Sequence, residues 1–147
     1  MNNLDLSLYL VTNNSEDEEK FLNIIEESLK GGVSVVQLRE KKAETLDFYN
    51  LALKVKEITQ KYNVPLIIND RIDIALAIDA DGVHVGQSDM PAKTARSMIG
   101  EDKILGVSAA NIKEAKKLRG TAQITLVLVQ FIRQIQKTMQ HQYLKKS

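Results

Sequence analysis

Short apolar runs alternate with amphipathic segments through the first 117 residues, and this alternation constrains the fold more than any other feature. Leu8–Thr12 is a β-rich apolar run. Ser15, with Glu18 three residues later, forms a capping-box pattern for a first helix. Phe21, Leu22, Ile25 and Leu29 recur along that helix at helical spacing, and Gly31–Gly32 supplies its stop. Val33–Leu38 is a second strand, followed by a helix from Thr45 to Tyr62 with Leu51, Val55, Ile58 and Tyr62 on one stripe. Pro65–Ile68 and Gly82–Gly86 read as strands around a short helix, Asp73–Ile78. Pro91, at a first helical position, opens a helix ending near Gly100. Ile104–Val107 is a fifth strand, and Asn111 caps a fifth helix through Lys117.

Continuously apolar strands, each followed by an amphipathic helix, predict an α/β fold with a parallel sheet covered by helices. Five such units suit either a doubly wound sheet or part of a TIM-type (β/α)₈ barrel. A complete barrel takes about 200–250 residues, more than the 147 present, so the expected barrel is incomplete, with about five of eight βα units. Polar side chains favour the barrel arrangement. Thr12, Gln37 to Lys41, Asn69–Asp70, Gln87 to Asp89 and Ser108 all stand at the C-terminal ends of predicted strands. In a parallel sheet those ends face one mouth.

Composition narrows the function classes. There are no cysteines, so disulfides and thiolate metal sites are excluded. The first residues lack the basic and apolar regions of a signal peptide, and no apolar run approaches the ~20 residues of a membrane span. A cytoplasmic protein without membrane or nucleic-acid partners is expected; oligomeric state is left open. The net charge of +1 conceals an asymmetry: −6 through Glu114 and +7 over the remaining 33 residues, which hold no acid. Three glutamines precede that point and six follow it. Such a break marks a boundary or a basic interaction tail.

Gln37–Leu38–Arg39–Glu40–Lys41 is the densest polar cluster. Arg39 and Lys41 alternate along an extended segment and project from one side, which suits a phosphate or diphosphate; a surface salt-bridge patch is the competing reading. Asp70 and Asp89 end neighbouring strands and form a candidate Mg²⁺ pair, since Mg²⁺ takes one or two carboxylates and completes its shell with water and phosphates. Both also suit helix N-caps. Ser108 is a candidate anion contact or a turn residue. His84, alone in GVHVG, reads as a packed histidine supporting other groups. P-loop, GxGxxG and nucleophile-elbow patterns are absent.

The blocks LYLVT, GGVSVVQLREK, VPLIINDRIDIALAIDADGVHVGQSD and ILGVSAAN, in this order and spacing, resemble the thiamine-phosphate synthase family from Leu8 to Lys117. The resemblance implies a barrel enzyme condensing hydroxymethylpyrimidine diphosphate with thiazole phosphate to give thiamine phosphate and diphosphate. It places Gln37, Leu38, Arg39, Glu40, Lys41, Asn69 and Ser108 on the pyrimidine diphosphate, and Asp70 and Asp89 on a Mg²⁺ ion. A thiazole tautomerase-like relative and a non-catalytic diphosphate-binding remnant are the alternatives; retention of QLREK with Asn69, Asp70 and Asp89 favours the synthase.

Residues 118–147 depart from the family, which continues with a segment like DGADYIGVG and a Thr-Ser/Asn-Thr-Lys phosphate loop. The division expected is a partial barrel over 1–117 and a foreign tail over 118–147. Ala122–Gln130 can be encoded GCG-CAG-ATT-ACA-TTG-GTG-TTG-GTG-CAG. Read from the third base, this gives GCA-GAT-TAC-ATT-GGT-GTT-GGT-GCA, or ADYIGVGA. Extended both ways, the shifted frame permits AERDGADYIGVGAVYSTNTKNDA, the family's own pattern. A frameshift near Lys117 explains the break better than a genuine basic tail. Loss of strands six to eight is expected to leave the fifth strand as an open edge, to remove the thiazole-phosphate side and to leave the chain an inactive or poorly folded remnant. Resequencing from the Asn111 codon past the stop is expected to find either one miscounted base near Lys117 or the family's C-terminal third out of frame downstream. A downstream sequence with no such frame would refute the frameshift.

Overall fold

The computed structural model describes residues 4–121 and the backbone of 124–126. Six strands, β1 (Tyr9–Val11), β2 (Val35–Leu38), β3 (Leu66–Asn69), β4 (Gly82–Val85), β5 (Ile104–Ser108) and β6 (Ile124–Leu126), form one sheet in the order β1-β2-β3-β4-β5-β6. Every neighbouring pair is parallel. Five helices, α1 (Glu18–Lys30), α2 (Thr45–Lys61), α3 (Ile72–Ala77), α4 (Ala92–Ile99) and α5 (Ile112–Lys117), fill the crossovers. Strand order never reverses. Because right-handed crossovers that always step the same way keep their helices on one face, this sheet is singly wound, as in a barrel. A doubly wound sheet reverses at a switch point.

Side-chain alternation gives the two faces different tasks. Val36, Leu38, Leu66, Ile68, Val83, Val85, Leu105 and Val107 pack with Ile25, Phe48, Leu51, Val55, Ile74 and Ala95 of the helices in one buried cluster. The opposite face carries Gln37, Asn69 and His84, all buried. In register, Asn69 stands beside His84, and His84 beside Gly106. The apolar face holds the helices; the other holds the polar groups.

The expected elements form, with local shifts. Asp17, not Ser15, caps α1: its carboxylate accepts from the Lys20 N–H at 3.1 Å. The Ser15 N–H instead donates to Glu40 Oε1 at 2.9 Å, so a contact distant in sequence overrides the capping box. Pro91 occupies the cap position of α4 rather than its first turn. Asn111 caps α5 as expected, accepting from the Glu114 N–H at 2.9 Å.

The expected open edge at β5 is corrected. Ile124–Leu126, within the segment read as a foreign tail, pairs with Gly106–Ser108. A β-branched run after a tight turn is enough to extend a parallel sheet by a strand. Residues 127–147 of that tail lie outside the described residues.

Phe48, 1% exposed, fills the space between α2 and the sheet. Phe48→Ala should lower unfolding stability by about 3–5 kcal/mol in urea titrations, whereas Leu46→Ala, on the exposed side of the same helix, should change it by under about 0.5 kcal/mol.

Candidate functional site

An open cleft of about 610 Å³ lies where the strands end. Gln37, Arg39, Lys41, Asn69, Asp70, Asp89 and Ser108 all line it. Two members of the predicted set do not place their side chains there. Leu38 is fully buried among the helices, because strand alternation turns it to the opposite face. Glu40, past the end of β2, turns toward Ser15 and accepts from its N–H.

The cationic segment is held by the chain that follows β1. Thr12 Oγ1 accepts from the Arg39 N–H at 3.1 Å, and Asn14 Oδ1 accepts from the Lys41 N–H at 2.8 Å. Arg39 Nη1 donates to Asn13 Oδ1 at 3.0 Å. These short polar side chains satisfy the backbone donors of a segment leaving the sheet. Thr12 and Asn14 thus fix where the two cations stand, a role reasoning from strand ends alone missed. Beneath them, Gln37 Nε2 donates to the Tyr9 hydroxyl at 2.8 Å. Burial raises the Tyr9 pKa, opposed by that bond, and keeps the phenol neutral.

The carboxylates are positioned by the backbone. Asp70 has φ +64, a left-handed conformation that aspartate tolerates better than most residues. Its N–H donates to the His84 carbonyl at 2.7 Å, so β3 turns sharply at its end while still tied to β4. The carboxylate pairs with Lys41. Asp89 Oδ2 accepts from the Gly86 N–H at 2.7 Å and closes the turn after β4. Neither aspartate caps a helix: the cap positions of α3 and α4 are Arg71 and Pro91.

Among the described residues no group of three or more histidines, cysteines or acids is gathered for a metal. Two hard carboxylate ligands without nitrogen or sulfur are a poor donor set for zinc. They fit a Mg²⁺ ion that draws its other oxygens from phosphate and water.

His84 and Ser108 complete the far wall. His84, 3% exposed, places Nε2 at 2.8 Å from Ser108 Oγ. Burial pushes its pKa down to about 4, with Asp89 opposing the shift, so the ring is neutral near pH 7. Gln87 Nε2 donates to the Ser108 carbonyl at 2.5 Å.

Arrayed around one cleft are two cations, two carboxylates, four amides and three hydroxyls, a set that suits a phosphorylated ligand. A family model described as thiamine monophosphate synthase matches residues 8–141. The chain belongs to this family. It is 61% identical over 115 residues to a thiamine-phosphate synthase of Alkaliphilus oremlandii, covering 78% of this chain and 55% of that protein. It is 63% identical over 116 residues to one of Clostridium acetobutylicum, with coverage of 78% and 55%. The solved thiamine phosphate pyrophosphorylase from Pyrococcus furiosus superposes with a TM-score of 0.73 at 31% identity, covering 82% of this chain and 58% of that one. The chain spans a little over half the length of these relatives.

Proposed function

We propose that this chain carries the pyrimidine-diphosphate half of a thiamine-phosphate synthase site. Whole, such an enzyme condenses hydroxymethylpyrimidine diphosphate with thiazole phosphate to thiamine phosphate, releasing diphosphate. One observation supports this reading most: Gln37, Arg39, Lys41, Asn69, Asp70, Asp89 and Ser108, drawn from four strand ends, line a single cleft. A salt-bridge patch would need only Lys41 and Asp70.

The roles follow from charge and geometry. Arg39 offers a planar fork and Lys41 a mobile point charge to the diphosphate. Asp70 and Asp89 would hold Mg²⁺, which when bound neutralises charge developing on the diphosphate as it leaves. Arg39 is oriented by Asn13, and Lys41 balances Asp70, so the cations are in place before a ligand arrives. Such preorganisation lowers the barrier to charge separation. Gln37 and Asn69 stand on the floor, where their amides suit the polar edge of a pyrimidine. The activity belongs to the cytoplasm, acts on small molecules and needs no nucleic acid; among the described residues no helix is long and apolar enough to cross a membrane.

A second reading is a module that binds the diphosphate without turnover. It is favoured by the resemblance, which assigns every candidate group lining the cleft to the pyrimidine diphosphate or its metal and none to the thiazole phosphate. On either reading a shifted frame after about Lys117 accounts for the changed composition of residues 118–147, into which the family match nonetheless continues, as far as residue 141.

Titration of the full chain with hydroxymethylpyrimidine diphosphate, with and without Mg²⁺, tests the site, and a turnover assay beside it separates the two readings. Binding should strengthen with Mg²⁺. Arg39→Ala and Lys41→Ala should each weaken it by roughly 10- to 100-fold, the range for a lost hydrogen bond to a charged group. Binding indifferent to Mg²⁺ and to both substitutions would overturn the assignment. Turnover favours the enzyme; binding without turnover favours the module.

A further inference from the structure

His84 is the buried titratable group to which the proposed chemistry gives no task. Its Nε2 lies 2.8 Å from Ser108 Oγ, and its Nδ1 is buried with no hydrogen-bond partner among the described residues. The register explains what Nδ1 faces. Gly106 is the in-register neighbour of His84 on β5, and a Cβ built on it would run into Nδ1. Only glycine leaves room for the ring, and a glycine C–H occupies the position a side chain would take.

That packing selects a tautomer. A proton on Nδ1 would be a buried donor aimed at a C–H group, and orphaned buried N–H groups are the rarest kind. A bare Nδ1 meets the C–H as a weak acceptor. The proton of the neutral ring therefore sits on Nε2, which donates to Ser108 Oγ. With its acceptor side engaged from behind, the Ser108 hydroxyl keeps its own hydrogen to donate forward. Ser108 also lines the cleft, and its backbone is held by Gln87 through the carbonyl.

We propose that His84 is a positioning residue: as the Nε2–H tautomer it holds Ser108 as a hydrogen-bond donor into the cleft, selecting a ligand that presents an acceptor there, an unprotonated ring nitrogen of the pyrimidine. The ligand's identity rests on the synthase reading above; the donor assignment rests on His84, Gly106 and Ser108 alone. Gly106 belongs to the same device, because any larger residue would displace the ring.

The chain has two histidines, His84 and His141, so long-range ¹H–¹⁵N correlation on the full chain gives two imidazole patterns, and His84→Gln identifies which is which. At neutral pH, His84 should show a protonated Nε2 and a bare Nδ1; a protonated Nδ1 overturns the proposal. Affinities for hydroxymethylpyrimidine diphosphate and for inorganic diphosphate, both with Mg²⁺, supply the second readout. Ser108→Ala and His84→Met should each weaken the pyrimidine ligand about tenfold, as for one lost hydrogen bond. The double variant should be no weaker than either single one, and inorganic diphosphate should bind unchanged. His84→Gln, whose amide nitrogen is a donor, should recover most of the loss. Equal losses for both ligands, or losses that multiply to about a hundredfold, would overturn the assignment. A wild-type chain that binds neither diphosphate sinks the synthase reading instead, and the imidazole spectrum then decides the donor assignment by itself.

Discussion

Parallel pairing that always steps in one direction is the constraint on which this molecule depends. Each strand from β1 to β6 joins the next in the same orientation, so every C-terminal end arrives at one rim. The helices must then share one face, and that face absorbs the apolar residues of every strand. The polar residues that alternate with them are left to the other face and the rim. Gln37, Asn69 and His84 are buried for this reason: they stand at inner positions of strands whose outer positions anchor the core.

Much of this was legible in the sequence because it rests on periodicity. Runs such as Val35–Leu38 and Leu66–Asn69 have no reading other than buried strands once helices flank them. Arg39 and Lys41 both reach the cleft while Leu38 and Glu40 do not, the pattern expected of an extended segment, although the strand itself ends at Leu38. Asp70 and Asp89 were recognisable as strand-end carboxylates. Their exact support was not. Asp70 sits at positive φ and is tied to the His84 carbonyl, and neither feature leaves a trace in local sequence.

What the sequence concealed were contacts between segments far apart in the chain. The Thr12 and Asn14 side chains hold the backbone of Arg39 and Lys41, and nothing in TNNS announces that partner. Ser15 and Glu18 match a capping box, yet the Ser15 N–H goes to Glu40 and Asp17 takes the cap. Gly106 is explained only by the ring of His84 on the adjacent strand. The sixth strand is hidden for another reason: the composition changes after Glu114, yet Ile124 and Thr125 keep the β-branched character that lets this segment pair with β5.

If four strand ends make one site, a ligand placed there must be felt on all four together. Amide hydrogen exchange on the full chain, with and without hydroxymethylpyrimidine diphosphate and Mg²⁺, measures this directly. The account predicts simultaneous protection at Arg39–Lys41, Asn69–Asp70, Gly86–Asp89 and Ser108–Ala109, with the helix amides unchanged. Protection confined to one of these segments, or concentrated on the lysine-rich α5, would contradict it.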